Sequence, residues 1–140
     1  MTIEGAKEFL NRGFRAKERI AAKYERIARW QRIAESITVE LRPACGSSSL
    51  PSKKIETCVC NIVDLQSEIK LEIEGLIAIE REISQAIALA IADPTLRAVL
   101  ELRYLNYLKW EEIAVRLNIT FRWVMALHKK ALKLFAAKAC

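Results

Sequence analysis

The 140-residue sequence is poor in residues that turn a chain, with only 4 glycines and 3 prolines. It has no sustained alternation of β-branched and polar residues, so strands are not expected. Residues 83–92, the longest uncharged stretch in the second half of the helical arm, are about half of a membrane span. The pattern of a signal peptide is also missing. We therefore expect an all-α, cytoplasmic protein without a membrane partner.

Catalytic and metal-binding patterns are also lacking. The chain has one histidine, His128, and four cysteines that form no CxxC pair, and we expect free thiols. Val124 and Leu132, which cannot bind a metal, occupy the positions four residues before and after His128. His128 is therefore expected on a helix surface or against a phosphate, and not in a metal site. Glu111 and Glu112 are adjacent and face different directions, and no glycine-rich phosphate loop occurs. The sequence predicts no enzyme, no metal site and no cofactor.

Positive charge is concentrated towards the C-terminal end. Residues 43–92 carry 4 basic and 7 acidic side chains, whereas residues 93–140 carry 9 basic and 4 acidic ones. The segment after Asn118 has no acidic residue and five basic ones, namely Arg122, Lys129, Lys130, Lys133 and Lys138. This distribution favours a polyanionic partner. A solvated basic helix end, which suits the helix dipole, is the alternative.

Two long helical segments precede this basic region. In the first, apolar residues from Ile20 to Leu41 follow alternating steps of three and four, and the helix is expected to end at Arg42 and Pro43. The loop "PACGSSSLPS" occupies residues 43–52. In the second, apolar residues recur every seven positions, as in a coiled coil: Ile55, Ile62, Ile69, Leu76 and Ile83. The segments predict a long antiparallel helical hairpin over residues 1–92.

The apolar stripes of this hairpin are wider than one neighbouring helix can cover. The first stripe includes Tyr24 and Trp30, and the second continues for five heptads. Uncovered apolar surface favours self-association, and we expect a homodimer in which residues 1–92 are the oligomerisation domain. The alternative is a monomer whose C-terminal module folds back over the stripe.

A second domain is expected over residues 93–140. Asp93 is a good N-cap and Pro94 suits the first helical position. A further helix starting at Trp110 would end at Asn118 in the left-handed conformation, and Thr120 would cap the next helix. Two helices with a tight turn between them predict a helix-turn-helix module. Its buried set is Ile113, Ala114, Leu117, Ile119, Val124 and Leu127.

The second helix of this module is the candidate DNA-binding helix. Arg122 can read guanine O6 and N7, and the lysines can neutralise phosphates. Phe121 and Trp123 could stack on sugars or contact a partner protein, although Trp123 could instead cover the first helix. The candidate DNA-binding residues are Thr120, Phe121, Arg122, Trp123, Met125, Ala126, Lys129, Lys130 and Lys133.

The stretch "RAVLELRYLNYLKWEEIAVRLNITFRWVMALHKKAL" resembles the C-terminal module of phage and prophage late transcription regulators of the ArpU and RinA type. Such modules are similar to the fourth region of bacterial sigma factors. The similarity continues through "YERIARWQRIAESIT", the serine loop and "IVDLQSEI". Two features depart from it: Lys109 replaces the usual Ser or Thr before the tryptophan, and Met125 and Ala126 replace polar base-reading residues. Direct base readout is therefore expected to be weak and to rest on Arg122 and Met125, with DNA shape as a further contribution.

The resemblance implies a sequence-specific transcription regulator of phage or prophage genes that binds double-stranded DNA. With the homodimer and the location expected above, it would act as a dimer in the bacterial host cytoplasm. RNA polymerase is a further candidate partner. Two alternatives stay open on the sequence. One is a DNA-packaging adaptor of the small terminase type, which also joins a helix-turn-helix to helical oligomerisation arms. The other is a coiled-coil interaction module that binds RNA polymerase without touching DNA.

Overall fold

The structure of the protein, a computed structural model, describes the backbone of residues 1–41 and 49–139 and the side chains of residues 1–37 and 53–139. Within these ranges there are six helices and no strand. The helices are α1 (Ile3–Leu10), α2 (Arg12–Leu41), α3 (Ser49–Ala90), α4 (Pro94–Tyr104), α5 (Trp110–Leu117) and α6 (Phe121–Lys138). The all-α class is confirmed.

The chain divides into two compact units. Unit 1 comprises Met1–Ala16 and Leu76–Cys140, and unit 2 comprises Lys17–Gly75. The compact unit that contains the C-terminal helices therefore also includes residues that the sequence analysis assigned to the hairpin. The helices α2 and α3 contribute residues to both units.

Unit 2 is an antiparallel pair formed by α2 and α3. Its core is a cluster of Ile27, Leu65 and Ile69, with Ile20, Trp30 and Ile62 packed around it. The ammonium of Lys23 lies 3.2 Å from the carboxylate of Glu72, and Arg19 contacts the same carboxylate at 3.3 Å. The hydrogen bond from Lys23 and then that from Arg19 lower the pKa of Glu72 below its usual value. The predicted packing of the first long helix against the next one is confirmed.

The prediction that the loop continues to residue 52 is wrong. The helix α3 begins at Ser49, so Ser49 to Ser52 are helical. Pro51 is compatible with this start because the first-turn N–H groups of a helix have no partner within the helix. Residues 42–48, which include the predicted helix end at Pro43 and the thiol of Cys45, lie outside the described residues.

Unit 1 is built around α6. Thr2 caps α1 by accepting a hydrogen bond from Gly5 N at 3.0 Å, and Leu10 of α1 is fully buried. The rings of Phe9 on α1 and Phe135 on α6 pack with centroids 5.9 Å apart. The core of the unit combines residues of α1, α3, α4 and α6: Ala6, Leu10, Ile83, Ile87, Ala90, Ile91, Leu96, Leu100, Tyr104, Ala131, Leu132, Phe135 and Ala136.

The described residues can also be searched for membrane-spanning helices, metal-binding groups and free thiols. Among the described helices, none combines the length and apolar character of a membrane span. The described part of the chain also holds no group of three or more His, Cys, Asp or Glu side chains that could share a metal ion. The thiols of Cys58 and Cys60 are free, whereas Cys140, like Cys45, is outside the described residues.

Candidate nucleic-acid interface

The helix α4 starts where the sequence predicts. The carboxylate of Asp93 accepts hydrogen bonds from Thr95 N at 2.8 Å and Leu96 N at 3.3 Å. Pro94 occupies the first helical position, where a missing N–H has no cost. With Leu96 and Leu100 buried, α4 packs against α6 and holds it in place.

A tight turn joins α5 to α6. Asn118 has φ 56° and ψ 46°, the left-handed conformation expected of a helix-ending residue. The backbone N–H of Ile119 then donates to Ala114 O at 3.0 Å, which closes α5. Thr120 Oγ1 accepts a hydrogen bond from Trp123 N at 3.1 Å and caps α6. Both predicted turn signals, Asn118 and Thr120, are confirmed.

The start of α5 shows the effect of the lysine before Trp110. The side chain of Lys109 makes no cap hydrogen bond, because an ammonium group has no acceptor. Instead, the carboxylate of Glu112 accepts from the backbone N–H of Lys109 at 3.3 Å. This contact is one half of a capping box, so the first turn of α5 is held by Glu112 and by the helix dipole.

The helices α5 and α6 cross over a small core of their own. Ile113, Ala114 and Val124 are buried, and Leu117 and Ile119 pack against them. A small residue at the crossing lets the two helices approach closely. The sixth predicted member, Leu127, packs instead against the main cluster of unit 1. The fold of residues 110–138 is thus a helix-turn-helix held on α4.

His128 is buried, and the expectation of a surface or phosphate-contacting histidine is wrong. Its side chain is 8% exposed, and its Nε2 lies 2.7 Å from the hydroxyl of Tyr104. The ring also packs against Trp110, with centroids 4.4 Å apart. Burial, and then the positive charges of Arg103 and Lys7, lower the pKa of His128 to about 4. Burial likewise raises the pKa of Tyr104 to about 12. His128 therefore packs the module as a neutral ring.

Arg103 and Tyr107 hold the segment before α5 in place, and neither was predicted from the sequence. The guanidinium of Arg103 lies 4.5 Å from the ring centroid of Trp110 and 4.9 Å from that of Phe14, and it donates to Leu108 O at 2.9 Å. Tyr107 has φ 59° and donates a hydrogen bond from its hydroxyl to Glu80. The contacts with Phe14 and Glu80 join residues far apart in the chain, so no local sequence signal marks them.

One face of α6 is left open to solvent. Arg122, Ala126, Lys129 and Lys133 follow each other at steps of four, three and four, so they form one stripe along the helix. All four are exposed, and Lys130 is exposed beside them. None of these basic side chains forms an ion pair with any part of the chain that the structure describes. The stripe therefore offers unpaired positive charge around a small residue.

The apolar candidates also lie on the surface of α6. Phe121 is 48% exposed and Trp123 is 55% exposed, so about half of each side chain is open to solvent. Met125 is exposed between Arg122 and Lys129 along the helix. All nine candidate residues from Thr120 to Lys133 therefore lie at the cap or on the open side of α6.

This geometry defines the module as a helix-turn-helix with a basic second helix. Residues 88–134 match the family described as Sigma-70, region 4. That domain is a DNA-binding, regulatory helix-turn-helix and not a catalytic domain, which indicates DNA-binding transcription regulation for this part of the chain. The match covers about a third of the sequence. Neither the curated proteins nor the solved structures that were compared gave a match to the chain.

Proposed function

We propose that the protein is a sequence-specific DNA-binding transcription regulator of phage or prophage genes, of the ArpU and RinA type. The observation that carries the proposal is the open stripe of Arg122, Ala126, Lys129 and Lys133 on α6. It lies on the second helix of a helix-turn-helix, the element that enters the major groove in such modules. The match of residues 88–134 to sigma-70 region 4 supports the same assignment.

The side chains of the stripe divide into two roles. Arg122 is in the first turn of α6, where a recognition helix meets base edges, and its guanidinium can donate two hydrogen bonds to guanine. Lys129, Lys130 and Lys133 lie about two to three turns later, where ammonium groups can neutralise phosphates. Ala126 lets the backbone of α6 approach the groove, and Met125 can contact a thymine methyl group. Thr120, Phe121 and Trp123 complete the proposed surface at the start of the helix.

The remaining features of the proposal concern the whole protein. It would act on double-stranded DNA in the bacterial host cytoplasm, as a homodimer. Residues 1–92 would contain the oligomerisation surface, and residues 93–140 would bind DNA. The apolar side chains that unit 2 leaves exposed, such as Tyr24 and Val63, support self-association.

Selection of bound duplexes from random DNA with the full-length protein tests the central proposal. We expect one enriched sequence for the wild type and no enrichment for Arg122→Ala combined with Lys129→Ala. Arg26→Ala, which removes an exposed arginine of unit 2, is the charge control and should select the wild-type sequence. Failure of the wild type to enrich any sequence would contradict specific DNA binding.

A second candidate function is a contact with RNA polymerase. The exposed rings of Phe121 and Trp123 favour it, because aromatic side chains are enriched in protein interfaces. Binding to purified polymerase that is insensitive to salt, and that Trp123→Ala weakens while Lys129→Ala does not, would support this function. Salt-sensitive binding that only the lysine change weakens would exclude it.

A further inference from the structure

One side of unit 2 carries a groove between its two helices. Tyr24, Ala28 and Gln31 of α2 and Gln66, Lys70 and Ile73 of α3 form its walls, and its volume is about 490 Å³. Ile27 and Ile69 of the hairpin core form the floor. Large apolar side chains are unusually open here, since Tyr24 is 54% exposed and Val63, further along α3, is 52% exposed. We call this side of the helix pair the groove face. It comprises the groove walls together with Val59 and Val63, which continue the same side of α3.

The residues of the groove face have the spacing of coiled-coil seams. On α3, Val59, Val63, Gln66, Lys70 and Ile73 follow at steps of four, three, four and three. This stripe is separate from the buried one of Cys58, Ile62, Leu65 and Ile69. On α2, the wall residues also follow at steps of four and three. Two adjacent helices that each present a seam form half of a four-helix bundle.

We propose that the groove face binds the groove face of a second copy of the chain, antiparallel and about a twofold axis. The inference rests on the self-association proposed above and assigns it to a defined surface. A twofold interface brings one patch against itself, so its residues must be self-complementary when the direction of each helix is reversed. The groove face meets this requirement on both helices.

On α3, the seam has the same pattern in both directions. An axis midway between Gln66 and Lys70 places Gln66 opposite the second copy's Lys70, so two polar side chains meet. The same axis places Val63 opposite the second copy's Ile73, so two apolar side chains meet. Polar groups at matching seam positions fix the register of a bundle, because any shift would pair them with apolar residues.

On α2, the same axis passes midway between Tyr24 and Ala28. The midpoint between Tyr24 and Ala28 on α2 lies beside the midpoint between Gln66 and Lys70 on α3. Lys23 contacts Glu68 at 3.6 Å, and Tyr24, Ala28, Gln66 and Lys70 all line the groove. The large ring of Tyr24 then faces the small Ala28 of the second copy, and this happens twice. Large side chains that face small ones interdigitate without voids.

Charges beside the α2 seam are complementary about this axis. Exposed Glu18 falls within one turn of the second copy's Arg32, and exposed Glu25 falls within one turn of its Arg29. Each pair occurs twice in the dimer. Opposite charges beside a helical seam select the partner and its orientation. A second copy of this chain therefore fits the groove face in pattern, size and charge.

The test compares two glutamate substitutions on α3 of the full-length protein. Val63→Glu lies in the seam, whereas Leu71→Glu, at a side chain that is 69% exposed, lies outside it. Because both sites are exposed in one chain, both variants should keep the helical content of the wild type. Sedimentation over a range of concentrations should show a wild-type dimer, a dissociation constant raised at least about tenfold by Val63→Glu, and no change with Leu71→Glu.

A size exchange on α2 tests the register. Tyr24→Ala and Ala28→Tyr should each weaken the dimer, because one leaves a void and the other brings two rings together. The double variant exchanges the large and small residues, so it should restore the affinity to within a few-fold of wild type. Failure of this rescue would contradict the antiparallel register.

The outcomes separate the surface from the proposed function. A wild type that stays monomeric, or that forms a ring, would overturn the inference. A dimer that Val63→Glu does not weaken, or that Leu71→Glu weakens equally, would contradict an interface at the groove face. DNA binding by α6 is measured independently with Arg122→Ala, so its failure is distinguishable from failure of the dimer.

Discussion

His128 shows how burial sets the protonation of a single side chain. Its ring lies between Tyr104 and Trp110, and burial lowers its pKa to about 4. An unfolded histidine titrates near 6.5, so the unfolded state binds a proton first as the pH falls. The stabilisation that the neutral ring provides is therefore complete above about pH 6.5 and is lost as the pH falls towards 4.

We expect His128→Gln, which cannot titrate but can hydrogen-bond Tyr104, to reduce this pH dependence. Between pH 6.5 and pH 4.5, the free energy of unfolding of the variant should fall by about 1 to 2 kcal/mol less than that of the wild type. Denaturant unfolding at both pH values measures the difference. An identical fall for the two proteins would show that His128 is not buried in its neutral form.

Gly13 and Gly75 form a matched pair of helical glycines. A Cβ atom at Gly13 would lie 2.7 Å from the hydroxyl of Tyr107, whereas a Cβ at Gly75 would have nothing within 4 Å. Tyr107 cannot move away easily, because its hydroxyl donates a hydrogen bond to Glu80. Its ring also packs edge-on against that of Phe14, with the ring centroids 5.1 Å apart. Burial and the bond to Glu80 also raise the pKa of Tyr107.

We expect Gly75→Ala to raise the free energy of unfolding by about 0.5 to 1 kcal/mol through helix propensity. Gly13→Ala should lower it by about 1 kcal/mol despite the same gain, because the new methyl group displaces Tyr107. Thermal and denaturant unfolding of both variants measure the two signs. A gain for Gly13→Ala similar to that for Gly75→Ala would contradict the close contact.

Helix ends determine how well the helix-turn-helix is fixed. The helix α6 has a side-chain cap from Thr120, whereas α5 begins at Lys109 without one. Lys109→Ser would supply the missing acceptor and complete the capping box with Glu112. We expect a gain of about 0.5 to 1 kcal/mol in the free energy of unfolding, and a loss of about 1 kcal/mol for Thr120→Ala. Denaturant unfolding measures both; no gain for Lys109→Ser would mean that Glu112 and the dipole already satisfy this helix start.

The elements with local signals could be predicted from the sequence. Asp93, Asn118 and Thr120 act on backbone groups within a few residues, so their patterns alone located the starts of α4 and α6 and the end of α5. Helical periodicity likewise predicted the pairing of α2 with α3. The start of α3 at Ser49 was missed because serine and proline favour both loops and first helical turns.

The side-chain environment of the site could not be predicted in the same way. The exposed side of α6 follows from helical periodicity, and the structure leaves Arg122 and Lys129 open as expected. The position of His128 was missed because its burial depends on Tyr104 and Trp110, which other helices supply. A lone histidine carries no sequence pattern that distinguishes a buried ring from an exposed one.

At the scale of the whole molecule, the main core of unit 1 combines residues from both predicted domains, 1–92 and 93–140. Ala6 and Leu10 of α1 and Ile83 and Ile87 of α3 are buried with Phe135 of α6 in one cluster. Periodicity describes one helix at a time, so it cannot show that the first helix joins the C-terminal ones. The second helix of the helix-turn-helix, α6, therefore packs against α1 and α3 as well as against α4.

The most direct test of DNA recognition by α6 is a salt titration of binding. Affinities of the wild type, Arg122→Ala and the double variant Lys129→Ala with Lys130→Ala would be measured on the selected duplex and on a scrambled one. Arg26→Ala serves as the control for loss of one positive charge, because it lies on α2 in unit 2. Helical content of each variant is compared with the wild type beforehand.

We expect Arg122→Ala to weaken binding to the selected duplex by about 1 to 3 kcal/mol and to relax base preference at one position. The lysine variant should weaken binding to both duplexes alike and reduce the slope of log affinity against log salt by about one unit for each phosphate that is no longer neutralised. Arg26→Ala should change neither. Equal weakening of both duplexes by Arg122→Ala, with altered sequence preference only in the lysine variant, would contradict the proposed docking of α6, and unchanged DNA binding in all variants would contradict recognition by α6 altogether.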